Sequence, residues 1–403
     1  MLKRRSLVVW ALACGLIGPS ASRAQVEWAG YLSVEPRVFF DSPAFPEQTD
    51  QTFSFSAVAA PEFRYEWNEG NDRLTVTPFL RFDANDDERN HIDVREANWL
   101  HFADPWTFRI GLGRVFWGVT ESRHLVDIIN QTDQVEDIDE EDKLGQPMIN
   151  VERYTDRGTF SVFLLPGFRE RTFPADDARL RGRLPISQEL TVYESSAEDG
   201  HTDIAVRWNH AVGPWDIGAS AFYGTGREPR LVRTTIDSRR EVLVPHYDII
   251  GQLGLDIQYT RGAWLLKLEA IRRSGQGSAF SALATGFEYT LFGIRSSNAD
   301  LGLLAEYLYD DRDASAALAA ALDDDVFFGM RLALNDVNDT MLLLGAIVDH
   351  QEHGSTSFIE GQRRLWDRWR LEVELRWLRD VEDPAFDGLR RDSFLTARLA
   401  RFF

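Results

Sequence analysis

Six carboxylates crowd one short stretch of this 403-residue chain: Glu136, Asp137, Asp139, Glu140, Glu141 and Asp142. They sit in a long connection at 118–146, as a run over 136–142 broken only by Ile138. Carboxylates at this density select cations or cationic solutes when they line a confined aqueous space. On an open surface they are simply solvated, and an acidic surface is the plainer reading of any one such run. Other reactive groups are sparser. Ser122 and His124 could pair as nucleophile and base, and His91, His201, His246 and His350 lie in connections, but nothing around them resembles a nucleophile motif. Asp310, Asp311, Asp313, Asp323, Asp324 and Asp325 could offer oxygens to Ca²⁺, without the spacing of a known calcium loop. The expectation is a non-enzyme with no catalytic residues, no cofactor and no dedicated metal site.

What must position these groups is a ladder of strands. Phe53, Phe55, Ala57, Ala59, Pro61, Phe63, Tyr65 and Trp67 share one parity, and Thr52, Ser54, Ser56, Glu62, Arg64 and Glu66 share the other. Period-two alternation gives a strand one apolar and one polar face. The pattern recurs at 73–83, 215–223, 247–259, 264–270, 301–310, 326–335 and 370–377. On the polar parity lie the bases Arg64, Arg81, Arg109, Arg207, Lys267 and Arg331 and the acids Glu269, Glu306 and Glu374. Opposed rows of acid and base would set a transverse field across a wet lumen, or pair across strands and fill it.

The N-terminus reads as an export signal. Lys3, Arg4 and Arg5 precede an apolar run from Leu7 to Ile17, and Ser22-Arg23-Ala24 places cleavage after Ala24. A lipoprotein reading through Cys14 is weakened by the poor preceding match Ala11-Leu12-Ala13. Cys14 is the only cysteine, so the mature chain has no disulfide or thiol chemistry. Beyond the signal the longest apolar run is Leu342 to Val348, too short for a membrane-spanning helix. Any span must be made of strands. Four basic and no acidic residues leave with the signal, taking the net charge from −20 to −24, which argues against nucleic acid as a partner.

No linker divides residues 25–403, so a single domain is expected. Eight short connections alternate with nine long ones, predicting 18 antiparallel strands, with 16 as the alternative count. An even count with short turns at one end and long loops at the other is the layout of an outer-membrane barrel. Trp67, Trp106, Trp208, Trp215, Trp264, Trp366 and Trp369 all lie beside the short turns, as an interfacial girdle would. Pro36, Pro61, Pro78 and Pro166 fall inside predicted strands, where a closed sheet has no free edge to hide them and only bulges would accommodate them.

With these features the chain resembles the porins of Gram-negative outer membranes, of the substrate-specific type. The likeness rests on the signal, the strand–turn ladder and the last segment Ser393 to Phe403, which ends on Phe; Arg401 departs from the usual apolar residue. The stretch Val94 to Gly118 is similar to the hairpin before the pore-narrowing loop of such porins. The resemblance implies an all-β transmembrane barrel in the outer membrane, folded by the barrel assembly machinery through its C-terminal strand. Lipid and lipopolysaccharide would surround it, as a monomer or homotrimer, and small hydrophilic solutes would pass through. It also implies that the loop at 118–146 folds into the lumen, so that Glu136, Asp137, Asp139, Glu140, Glu141 and Asp142 ring a cation-preferring constriction. Two other readings stay open. Phe163, Phe222, Phe280 and Phe327 have inward parity and could plug a closed, surface-binding barrel; a soluble periplasmic sandwich would need no detergent.

Overall fold

The computed structural model describes residues 25–236, 240–312, 324–349, 355–379 and 387–403. The signal segment with Cys14, and Asp313, Asp323 and His350, lie outside the described residues. The main sheet has 18 strands. They run Gln25–Phe39, Phe53–Trp67, Asp72–Asp83, His91–Ala103, Trp106–Gly113, Gln146–Thr155, Gly158–Pro166, Thr202–Val212, Trp215–Thr225, Ile249–Arg261, Trp264–Ser274, Phe280–Leu291, Asp300–Asp310, Asp324–Ala333, Met341–Asp349, Ser355–Trp366, Trp369–Arg379 and Phe394–Phe402. Each pairs with the next in antiparallel register, and the eighteenth returns to the first from Tyr31↔Phe402 to Phe39↔Phe394. Closure leaves no strand edge, the condition for a sheet to cross lipid.

The alternation sorts as expected. Phe82 is 57 % exposed, while Arg81 and Asp83 beside it are 5 % and 3 % exposed. The outward face carries a belt of large apolar side chains, among them Leu32, Phe53, Phe55, Ile110, Val162, Val206, Leu253, Leu266, Phe328 and Leu395. A belt of this extent in water would drive aggregation; against acyl chains it is the stable arrangement. The chain is therefore a membrane-spanning barrel rather than a soluble sandwich.

Short turns at 68–71, 104–105, 156–157, 213–214, 262–263, 292–299, 334–340 and 367–368 mark one rim. Two of them use Gly213 and Gly262 in the left-handed region, φ 58° and 61°, which a tight two-residue reversal needs. The seven tryptophans beside the short turns stand at this rim.

The prolines resolve locally: Pro36 stands in the break between the pairs Val34↔Leu399 and Arg37↔Thr396. Pro61 and Pro78 share one break in the ladder, between the pairs Ala59↔Leu80 and Phe63↔Val76. A register shift at Thr77/Pro78 absorbs the second of them on its other side. Pro166 is the last residue of its strand. Each position is one where a missing N–H costs little.

Candidate functional site

The connection 114–145 between the fifth and sixth strands turns into the barrel. Trp117, Leu125, Val126, Ile128 and Ile129 pack there with inward side chains Phe163, Phe222, Ile271, Phe280 and Leu308 in one buried cluster. Burying each such side chain contributes roughly 1.5–3 kcal/mol at most. This cluster fixes the loop against the wall from the seventh to the thirteenth strand.

Two wall carboxylates finish that attachment. Glu269 Oε1 accepts from Val119 N (2.7 Å), Thr120 N (3.0 Å) and Thr120 Oγ1 (2.7 Å), and its Oε2 accepts from Val126 N (3.2 Å). Glu306 accepts from Glu121 N (2.8 Å), Ser122 N (2.9 Å) and Ser122 Oγ (2.5 Å). Both glutamates are buried, so these donors satisfy charges that would otherwise be costly. Glu121 itself reaches Arg331 (2.6 Å) and Lys267 (3.6 Å). Burial opposes its ionisation, but Arg331 and Lys267 together outweigh burial and hold its carboxyl below the ordinary range. Ser122 is thus committed to Glu306, and His124 Nδ1 stands 4.0 Å from Glu269 Oε1, so neither forms a nucleophile–base pair with the other.

The acidic half of the loop turns to the opposite wall. Glu136 lies between Arg81 (2.5 Å) and Arg95 (3.7 Å), and Arg81 also pairs with Glu35 (2.6 Å). Asp133 meets Arg95 at 2.5 Å, Asp137 meets Arg37 at 3.5 Å and Asp139 meets Arg376 at 3.1 Å. Glu140 pairs not with the wall but with Arg171 of a neighbouring loop, at 2.9 Å. Glu141 and Asp142 are exposed and form no ion pair among the described residues. Four of the six expected constriction carboxylates are therefore neutralised by arginines.

The expected lining residues occupy the inward parity of their strands. Arg207 and Asp256 form a bidentate pair (2.8 Å each) across the ninth strand. Gly218 makes room for it, since a Cβ there would lie 2.4 Å from Arg207 Nη2. Arg331 pairs with Glu288 (3.3 Å), Arg64 with Glu62 (2.9 Å), and Glu374 with Arg376. Among the described residues the Arg109 guanidinium donates one hydrogen bond, to the Arg114 carbonyl at 3.4 Å. His91, Asp133 and Glu136 bring three ligand atoms within 4.8 Å of one another, but Arg81 and Arg95 already occupy those carboxylates.

No family model and no curated protein matches the sequence. Solved structures do match in shape. A BenF-like porin from Pseudomonas fluorescens Pf-5 aligns over 95 % of this chain and 98 % of its own, with TM-score 0.55 and 10 % identity. Acinetobacter baumannii OccAB3 aligns over 94 % and 99 %, with TM-score 0.55 and 7 % identity. Pseudomonas aeruginosa OccK2 (OpdF) aligns over 94 % and 97 %, with TM-score 0.54 and 12 % identity. The fold is that of outer-membrane porins. At such identities the likeness shows the porin fold and leaves the lining to be read from this chain.

Sequence reasoning missed two features of this porin-fold lumen. One is the anchoring by Glu269 and Glu306. The other is the apolar seat of the loop, whose signal was present as Leu125-Val126-Asp127-Ile128-Ile129, an apolar run inside a long polar connection.

Proposed function

We propose that the chain is a passive outer-membrane channel for small hydrophilic solutes, narrowed by the connection 114–145. One observation carries this reading: that connection is held inside the barrel by buried contacts to opposite walls. A lining of charged side chains on most strands favours water over apolar filling. Selection would then be by width first. With four of six loop acids paired, only Glu141 and Asp142 remain to favour cations, so the preference is weak. Reconstitution in planar bilayers tests this, with stepwise conductance and a small cation-favouring reversal potential expected. Silence from protein shown to be folded would sink it.

A second reading has its own observation. Phe163, Phe222, Phe280 and Phe327 all point inward and are buried, at 2 %, 4 %, 4 % and 1 % exposure. A closed barrel serving as a surface-binding protein would look the same there. It predicts no conductance even when residues 131–142 are deleted, whereas the channel predicts larger steps.

A further inference from the structure

The connection 167–201 and the segment 240–248 ahead of the tenth strand form a lid that the lumen alone does not explain. They rise from the seventh to the tenth strands and are knitted together. Val192 and Tyr193 pair in parallel with His246 and Tyr247, and Ile186 bridges to Leu243. The stem is aromatic: Tyr247 lies 4.7 Å from Phe168 and 5.7 Å from Tyr193, ring centre to ring centre. The lid passes over the folded loop, bridging Thr172 to Asp133 and leaning on Asp93 through Arg169 (2.8 Å) and on Asp86 through Ala175 N (3.2 Å).

Its tip docks on the loops of the eighteenth, first and second strands, nearly halfway round the ring. These contacts are polar. Arg179 Nε donates to Asp392 Oδ1 (2.7 Å), and its Nη2 donates to the carbonyls of Asp41 (2.9 Å) and Arg391 (3.2 Å). Gln48 Nε2 donates to Arg179 O (2.7 Å), and Thr49 N donates to Asp177 O (2.8 Å). Arg179 and Asp392 are both buried. Aromatic packing holds the stem, while a buried ion pair gains little over its desolvation cost and the tip depends on the hydrogen bonds that Arg179 donates.

The geometry points to a hinged gate: the lid turns on its aromatic stem and is latched over the lumen by Arg179 on Asp392. This rests on the channel reading. The latch is also pH-sensitive. Burial pushes Asp392 up to about 6, against Arg179, Gln48 and Arg181, which face it from the lid and from the first connection. With the lid open and the burial relieved, the carboxyl would fall back toward the ordinary aspartate value of 3.8. The closed state therefore binds the extra proton; its stabilisation is full below the ordinary value and is lost as pH rises through about 6.

The test is a paired Thr49→Cys and Asp177→Cys variant, alone in cysteine beyond Cys14, recorded in planar bilayers. Heat-modifiable gel migration confirms folding of every form. Oxidation is expected to cut the mean current at least about tenfold and reduction to restore it. Arg179→Ala and Gly388→Ala should lengthen open times, the latter because its new Cβ would sit 2.4 Å from Arg181 O. Wild type should pass less current at about pH 5 than at about pH 7.5, and Asp392→Asn should lose that difference. Equal currents from oxidised and reduced protein overturn the gate and leave the channel standing. Silence of all forms, including one lacking 174–182, overturns the channel reading itself.

Discussion

The two walls of the lumen hold the same loop by different chemistry. The eleventh and thirteenth strands offer carboxylates, Glu269 and Glu306, and the loop answers with backbone amides and two hydroxyls. The first, third, fourth and seventeenth strands offer guanidinium groups, Arg37, Arg81, Arg95 and Arg376, and the loop answers with carboxylates. An amide is supplied by almost every residue; a carboxylate is not. The first attachment should therefore tolerate loop mutations but not wall mutations, while the second should be sensitive on both sides.

The largest expected effect lies on the basic wall. Arg81 has a side chain 1 % exposed and bridges Glu35 and Glu136. Arg81→Ala removes the cation that bridges two buried carboxylates and leaves Glu35 to Arg398 (2.8 Å) and Glu136 to Arg95 (3.7 Å), at a cost of roughly 3 kcal/mol. Hydrogen exchange of amides 131–142 should accelerate accordingly. Unchanged protection there would remove the basis for contrasting the walls.

Glu269 comes next. Glu269→Ala strands the amides of Val119, Thr120 and Val126 in a buried site, and the expected loss is roughly 2–3 kcal/mol for the seat of 117–126. Glu269→Gln keeps an acceptor oxygen and should cost less. Trypsin cleavage after Arg123 reads the result directly. On the loop side, Val119→Ala or Thr120→Val should do far less than the wall change. If the loop substitutions prove as damaging as Glu269→Ala, the amides are not what the wall recognises.

The same contrast governs what could be seen in the sequence. The barrel was legible because lipid and water impose opposite demands on alternate residues, and Phe53 to Trp67 shows those demands without a partner strand. Strand number followed from the alternation of short and long connections. The acidic run 136–142 and the inward Arg81 were visible as side-chain types. Their pairing was not, because it depends on bringing the first, third and fourth strands to one height. Glu269 looked like one more lining acid, since backbone amides leave no mark in a sequence. The two prolines at 61 and 78 looked like an obstacle until the register placed them opposite each other.

A smaller effect is expected from Asp137→Ala. Its partner Arg37 is 3.5 Å away and already donates to Thr396 Oγ1 at 2.9 Å. The guanidinium keeps a neighbour, so the loss should be about 1 kcal/mol, visible as a slight rise in loop exchange. An effect as large as that of Arg81→Ala would mean that the basic wall acts as one coupled network rather than as separate pairs.

The smallest change in stability, and the one most informative about transport, is the pair Glu141→Gln and Asp142→Asn. Both side chains are exposed and unpaired among the described residues. Substitution should leave unfolding within about 0.5 kcal/mol of wild type. Their charge, however, is the part of the acidic run that no arginine pairs with directly among the described residues. If solutes pass beside this segment, removing it should move the reversal potential toward zero in a salt gradient while single-channel size stays nearly constant. The neutralised acids make the opposite prediction: Asp139→Asn should disturb the loop through Arg376 more than it changes ion preference. Should Asp139→Asn shift selectivity as strongly as the exposed pair, its contact with Arg376 is broken in the conducting state and the loop sits differently there.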